Sequence, residues 1–225
     1  TIIYAGSLVN PQLLDYAKAG CSIYNSAKMT LEEVLEVMLR DVRADKQVVR
    51  LHTGDPCLYG AIREQMDVLD EEKIPYDYCP GVSSFCGAAS ALNLEYTLPE
   101  ISQSVIITRM AGRTPVPEKE SIESFAAHHA TMVVFLSTRL LEELSRRLID
   151  GGYSADTPAA IVYKATWEDE KSFVCTVGTL AETAKKNNIT KTALMIIGDV
   201  VNCSHYDRSK LYDPAFTTEF REASK

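Results

Sequence analysis

Seven short apolar runs punctuate the chain, and between them apolar residues recur at helical spacing. The runs cover residues 2–4, 22–24, 48–51, 105–108, 132–136, 160–163 and 193–197. Their β-branched character predicts strands buried on both faces, as in a parallel sheet covered by helices. The clearest helical period lies in 31–42, where Leu31, Val34, Leu35, Met38, Leu39 and Val42 form one stripe. Thr30, three residues before Glu33, opens it as a capping box. Similar periods predict helices over 11–17, 62–69, 122–127, 140–148 and 180–186. Alternating strands and helices place the chain in the α/β class.

The second half departs from that rhythm. Residues 169–180, DEKSFVCTVGTL, alternate like a strand with no helix before them, which predicts antiparallel pairing. Residues 93–102 hold a proline and no period, so the boundary is placed there. It separates an N-terminal α/β domain, 1–98, from a C-terminal α/β domain with a mixed sheet, 103–225. From Asn202 onward the tail is polar with scattered aromatics, and is expected to pack over a domain or a partner subunit. The first residues, TIIYAGSLV, read as the middle of a buried strand, so further residues are expected upstream.

Composition narrows the function classes. The chain has 225 residues, a formal net charge of −8 and a pI near 5.1. No basic run is long enough to track a phosphate backbone, so no nucleic-acid partner is expected. No apolar stretch approaches the roughly 20 residues that span a bilayer, and no leader is visible, so the expected location is cytoplasmic, with no membrane partner. The six cysteines form no C-x-x-C and read as reduced, buried small hydrophobes. The four histidines are scattered, and no metal site is expected. The chain contains no G-x-G-x-x-G, Walker A, H-E-x-x-H or G-x-S-x-G motif.

Candidate chemistry gathers at strand exits. After the run at 48–51 comes HTGDPCLYG, residues 52–60. Gly54 permits close backbone approach, and Asp55 before Pro56 predicts an N-cap with proline at the first helical position. One reading is that turn alone; the other is a loop that faces a polar small molecule, with Tyr59 at its rim. CPGVSSFCGAASAL, residues 79–92, predicts the same arrangement of strand, corner and small-residue helix, with Ser83 or Ser84 as cap or ligand. Two corners after two strands of one sheet would be neighbours at one edge, where open α/β sheets bind ligands. TRMAGRTPVPE, residues 108–118, offers Arg109 and Arg113 on a proline-stiffened loop, either as a carboxylate clamp or as a solvated surface. Tyr163, Lys164 and Ala165 mark another strand end beside Trp167, which reads as packing. His52, beside the Thr53–Gly54 corner, reads as a buried, hydrogen-bonded histidine.

Taken in order, TGDPCLYG, PGVSSFCGAAS, FLST (135–138), VYKATW and TALMIIG (192–198) resemble the tetrapyrrole methylase family of S-adenosylmethionine-dependent enzymes in corrin and sirohaem biosynthesis. YAGSLVNP, TRMAGRTPVPE, YKATWEDEK and YDRSKLYDPAF draw the match toward its cobalamin-pathway branch. The resemblance implies two α/β domains with a ligand cleft between them, a homodimer, and S-adenosyl-L-methionine as methyl donor, leaving S-adenosyl-L-homocysteine. It places Thr53, Gly54, Asp55, Leu58, Ser83, Ser84, Leu136, Tyr163, Ala165, Thr192, Ala193 and Leu194 along that cofactor.

A polycarboxylated tetrapyrrole would be the methyl acceptor, and Tyr59, Arg63, Arg109, Arg113 and Lys164 are the candidates for holding it. No residue is assigned as a general base. Two departures stand out. The family's opening strand and Gly-rich loop have no counterpart, and Ala111 stands where the pattern has glutamate. A methylase acting on uroporphyrinogen III and a non-catalytic domain that binds S-adenosylmethionine or a tetrapyrrole remain alternatives.

Overall fold

The computed structural model describes residues 1–6 and 8–224; Ser7, within the YAGSLVNP motif, lies outside the described residues. The chain divides into two compact units, Thr1–Cys86 and Gly87–Lys225. Both combine strands with helices, as the alternating pattern predicts.

The first unit holds a three-stranded parallel sheet in the order β2-β1-β3. Its strands are β1 (Ile2–Tyr4), β2 (Ile23–Asn25) and β3 (Val49–Leu51). Ile3 of β1 is fully buried and packs with Val34, Val37 and Met38 of α1 (Leu31–Arg43) and Leu69 of α2 (Arg63–Glu71). The capping box forms as expected: Glu33 N–H donates to Thr30 Oγ1 at 3.3 Å, and Thr30 N–H donates to Glu33 Oε2 at 2.8 Å. The expected helix at 11–17 is a 3-10 turn, Pro11–Tyr16, capped by Asn10.

Burial corrects one expectation. The first-unit strands are not enclosed on both faces, because Ile23 of β2 and Val49 of β3 stand exposed. Short β-branched runs look alike whether one face or two is covered. The cysteines are free, but none is fully buried, and Cys57, Cys79 and Cys86 are exposed. Their apolar neighbours in sequence point elsewhere, which composition cannot show.

In the second unit five strands form a mixed sheet, β4-β5-β8-β6-β7. They are β4 (Val105–Arg109), β5 (Thr131–Phe135), β6 (Pro158–Tyr163), β7 (Lys171–Thr176) and β8 (Ala193–Ile197). β4 and β5 are parallel, while β8 runs antiparallel to both β5 and β6. The alternating segment becomes β7, antiparallel to β6, as its pattern predicts. β5 and β8 are buried at every residue, which accounts for their continuous apolar character. Against the sheet pack α4 (Ile122–Ala126), α5 (Leu141–Asp150) and α6 (Leu180–Lys186), through Leu144, Leu148 and Leu180. The remaining helix, α3 (Ser84–Leu92), begins in the first unit and ends in the second.

Met195 is fully buried at the middle of β8, the central strand. Replacing it with alanine leaves a cavity that the flanking strands cannot fill. Met195→Ala is expected to cost about 2–5 kcal/mol of unfolding free energy, measured by denaturant titration.

Candidate ligand corners and sheet edge

In the first unit the TGDP corner forms differently from its sequence expectation. Asp55 does not cap a helix: residues 53–59 turn without becoming helical, and α2 begins at Arg63 with no side-chain cap. Nor is there a strand before Pro80. The Asp-Pro pair satisfies the rules for a helix start and equally those for an Asx-turn. Here the turn prevails, because the Asp55 carboxylate has partners elsewhere in the chain.

Asp55 Oδ1 accepts from Cys57 N–H at 2.8 Å and from the Tyr78 hydroxyl, and Oδ2 accepts from Gly81 N–H at 2.8 Å. Cys57 N–H also reaches the Tyr78 oxygen at 3.1 Å. The two predicted corners are therefore neighbours through one carboxylate rather than through paired strands. These donors hold the Asp55 carboxyl well below the usual carboxylate range, with the Tyr78 bond the largest cause. Tyr78, in turn, is pushed up to about 12 by the adjacent carboxylate.

Glycine is required where the corners touch. A Cβ on Gly81 would sit 2.0 Å from the Gly54 carbonyl oxygen. One on Gly54, whose φ is +60°, would lie 3.3 Å from Ser83 Cα and from Ser84 N. Thr53 and Gly54 thus run against the start of α3, where Ser83 is buried and Ser84 exposed. Leu58 is half-buried, and Tyr59 is exposed with φ at +58°.

His52, beside this corner, is buried at Nε2 but has no hydrogen-bond partner there, contrary to expectation. Burial, aided by the Arg50 charge, lowers its pKa to about 4. Arg50 is itself committed to Gln65 Oε1, the Ile3 carbonyl and Ser26 Oγ at 2.9–3.1 Å.

The second-unit candidates converge on one sheet edge. β4, β5 and β6 end there and β8 begins there, with Arg109 paired to Phe135 and Tyr163 to Ala193. Lys164 N–H donates to the Thr192 carbonyl at 2.9 Å, just beyond the last pair. Four non-glycine residues at this edge have left-handed φ: Leu136 at +53°, Lys164 at +47°, Thr166 at +70° and Thr192 at +56°. Such conformations cost about 1–3 kcal/mol each and persist only where surroundings enforce them. Leu136 is also 59% exposed, so its apolar side chain gains little from the strain. Ala165 and Tyr163 are half-buried, while Ala193 and Leu194 are buried within β8.

Sequence reading passed over Ser137, which fastens this edge. It is buried, accepts from Met110 N–H at 2.8 Å and donates to the Phe135 carbonyl at 2.6 Å. A serine directly after the apolar run 132–136 was the available signal.

The cations separate into committed and free. Arg109 donates to the carbonyls of Met110, Thr114 and Pro115, so it braces its own loop. Arg63 pairs with Asp67. Lys164 pairs with Asp169 at 2.6 Å and lies over the rings of Tyr163 and Trp167. Arg113 is exposed and has no ion pair or side-chain hydrogen bond among the described residues. A separate groove of about 700 Å³ lies in the second unit, lined by Thr138, Arg139, Leu141, Ala184, Lys185 and Thr190 among others. Of the motifs quoted from the sequence only FLST reaches it, through Thr138, and none of the candidate cofactor or substrate residues lines it. Among the described residues no cluster suits a metal ion, and no helix is long and apolar enough to cross a membrane.

The profile of the Tetrapyrrole (Corrin/Porphyrin) Methylases matches residues 1–181. The chain belongs to the tetrapyrrole methylase family. A cobalt-precorrin-4 C(11)-methyltransferase of Methanocaldococcus jannaschii is 52% identical over 224 residues, covering 100% of this chain and 86% of that protein. The X-ray structure of a cobalt precorrin-4 methyltransferase, a cobalamin biosynthetic enzyme, is 43% identical with a TM-score of 0.87. That comparison covers 90% of this chain and 84% of the solved one. A Thermus thermophilus uroporphyrin-III C-methyl transferase, solved with S-adenyl homocysteine, shares the fold at a TM-score of 0.73 and 24% identity. It covers 89% of this chain and 85% of its own.

The histidine yields a prediction. Its folded pKa lies below the unfolded value near 6.5, so the unfolded chain binds more protons between about pH 4 and 6.5. His52 therefore contributes stability that is complete above pH 6.5 and is lost as pH falls toward 4. His52→Gln is expected to flatten that part of the stability–pH curve, read from chemical denaturation at half-unit pH steps.

Proposed function

We propose that this methylase transfers a methyl group from S-adenosyl-L-methionine to C11 of precorrin-4 or its cobalt form, within cobalamin biosynthesis. The observation that carries the reading is the 52% identity to a cobalt-precorrin-4 C(11)-methyltransferase along the whole chain. The solved cobalt precorrin-4 methyltransferase, with its TM-score of 0.87, supports it. In this reading the protein works in the cytoplasm as a homodimer, without nucleic acid or a membrane as partner.

The residues suit the cofactor on structural grounds. Gly54 and Gly81 let the two corners pack backbone on backbone, which gathers main chain from both at one place where it can meet a polar ligand. We assign Thr53, Gly54, Asp55, Leu58, Ser83 and Ser84 to this role in the first unit. Leu136, Tyr163, Ala165, Thr192, Ala193 and Leu194 are assigned to it in the second. Asp55 acts by shaping: its oxygens are occupied by chain donors, so it fixes the backbone that faces the ligand.

S-adenosylmethionine, when bound, supplies an electrophilic methyl group together with its own leaving group. The chain's task is then mainly orientation, which is worth about 7–11 kcal/mol of barrier when geometry is right. Leu136, held exposed on a strained backbone, fits contact with an apolar ligand surface. Tyr59 and the cations Arg63, Arg109, Arg113 and Lys164 are assigned to the tetrapyrrole. Of these cations, Arg113 has the strongest case for direct contact, because the other three already hold partners within the chain.

Calorimetry with S-adenosylhomocysteine, followed by methylation assays on precorrin-4 and cobalt-precorrin-4, tests the assignment. Binding together with turnover of either substrate supports it. Binding without turnover of either substrate points instead to a non-catalytic binding domain. Arg113→Ala is expected to raise KM for the tetrapyrrole about tenfold or more while leaving cofactor affinity unchanged. Equal loss of both affinities would remove Arg113 from the substrate site.

A further inference from the structure

Tyr78 had no role in the sequence reading, and its hydrogen bonds suggest one. The segment 52–62 carries left-handed backbone at Gly54 (φ +60°), Tyr59 (φ +58°) and Ala61 (φ +49°). Such a segment keeps one conformation only if its surroundings over-determine it. Helix propensity does not supply that restraint, because α2 starts only at Arg63.

Side-chain hydrogen bonds do supply it. Gly81 N–H engages Asp55 Oδ2 at 2.8 Å. At Oδ1, the Tyr78 hydroxyl and Cys57 N–H converge, and the same hydroxyl oxygen accepts from Cys57 N–H at 3.1 Å. Asp55 Oδ1, the Tyr78 hydroxyl and the Cys57 amide therefore form a closed triangle, joined across 21 and 23 residues of chain. The Tyr78 side chain is 41% exposed, so water could satisfy its hydroxyl without this arrangement. A bond kept under those conditions does more for orientation than for fold stability. The Tyr78 hydroxyl, like any tyrosine's, is a proton donor across neutral pH, and the adjacent carboxylate pushes its pKa higher still.

We propose that Tyr78 is a positioning residue for the cofactor. Its hydroxyl aims the Asp55 carboxylate so that the Thr53–Gly54 backbone meets S-adenosylmethionine in a single orientation. The inference rests on assigning this corner to that cofactor. It does not require the ring of Tyr78 to touch ligand.

The test compares wild type, Tyr78→Phe, Asp55→Asn and the double variant by calorimetry with S-adenosylhomocysteine, steady-state kinetics and thermal melting. Tyr78→Phe keeps the ring and removes only the hydroxyl. It is expected to weaken S-adenosylhomocysteine binding about tenfold and to raise KM for S-adenosylmethionine by the same factor. KM for the tetrapyrrole, kcat and the melting temperature should change far less. The double variant should bind no more weakly than Asp55→Asn alone, since the tyrosine acts through that carboxylate.

Wild-type affinity in Tyr78→Phe overturns the inference. So does a joint fall in kcat, both affinities and melting temperature, which marks a merely structural role. Additive losses in the double variant overturn the route through Asp55. If wild type itself does not bind S-adenosylhomocysteine, the assignment of the corner falls first and the inference with it.

Discussion

A single carboxylate organises the first unit's candidate site. Asp55 receives donors from Cys57, Tyr78 and Gly81, and without it two irregular segments would have little reason to meet. Neither segment is a strand or a helix where they touch, so no backbone ladder holds them. The Gly54 carbonyl lies so close to Gly81 that Gly81 tolerates no Cβ, and Gly54 itself needs a φ of +60° that side chains rarely adopt. Loop conformation here depends on one buried-style network built at the surface. Backbone left exposed in this way is what a site needs if it is to recognise a ligand through N–H and carbonyl groups.

This arrangement also shows where sequence reading stops. Strand positions in the second unit follow directly from apolar continuity: residues 193–197 of the pattern are β8, and every one is buried. The capping box at Thr30 and the antiparallel β7 were legible because their signals are local and use few residues. Asp55 stands out in the sequence, yet the helix cap that its place before Pro56 predicts does not form. An aspartate before proline satisfies a helix cap and an Asx-turn equally well. The choice between them was made by Tyr78 and Gly81, more than twenty residues away. No periodicity records a partner at that distance. The same reason hides Ser137, whose hydroxyl joins the ends of β4 and β5, and the lone Nε2 of His52.

Charge raises a comparable question of partners. With a net charge of −8, the protein as a whole repels a polycarboxylated ligand at long range. Attraction must then be local, and counting arginines and lysines in promising loops overstates what is available. Arg109 spends its donors on three carbonyls of its own loop, which stiffens the segment that presents Arg113. Lys164 is held between Asp169 and two aromatic rings. One committed arginine that fixes the loop and one uncommitted arginine on it make a more selective device than two free ones, because a loop already braced has less backbone entropy left to lose on binding.

The second-unit edge adds strained backbone to this picture. Leu136, Lys164, Thr166 and Thr192 all adopt left-handed backbone within the same stretch of sheet edge. Hydrogen bonds from Ser137 and from Lys164 N–H to Thr192 hold the strand ends that force those conformations. For a methyl donor that brings its own leaving group, no triad, metal or activated nucleophile is needed from the chain. What remains for the protein is to fix reactants against rigid surfaces and to exclude alternatives. Strain stored at the ends of fully buried strands is suited to that work, because β5 and β8 cannot relax without opening the core. An exposed leucine in a costly conformation gains little from packing, so the strain at Leu136 is held by the strand ends around it.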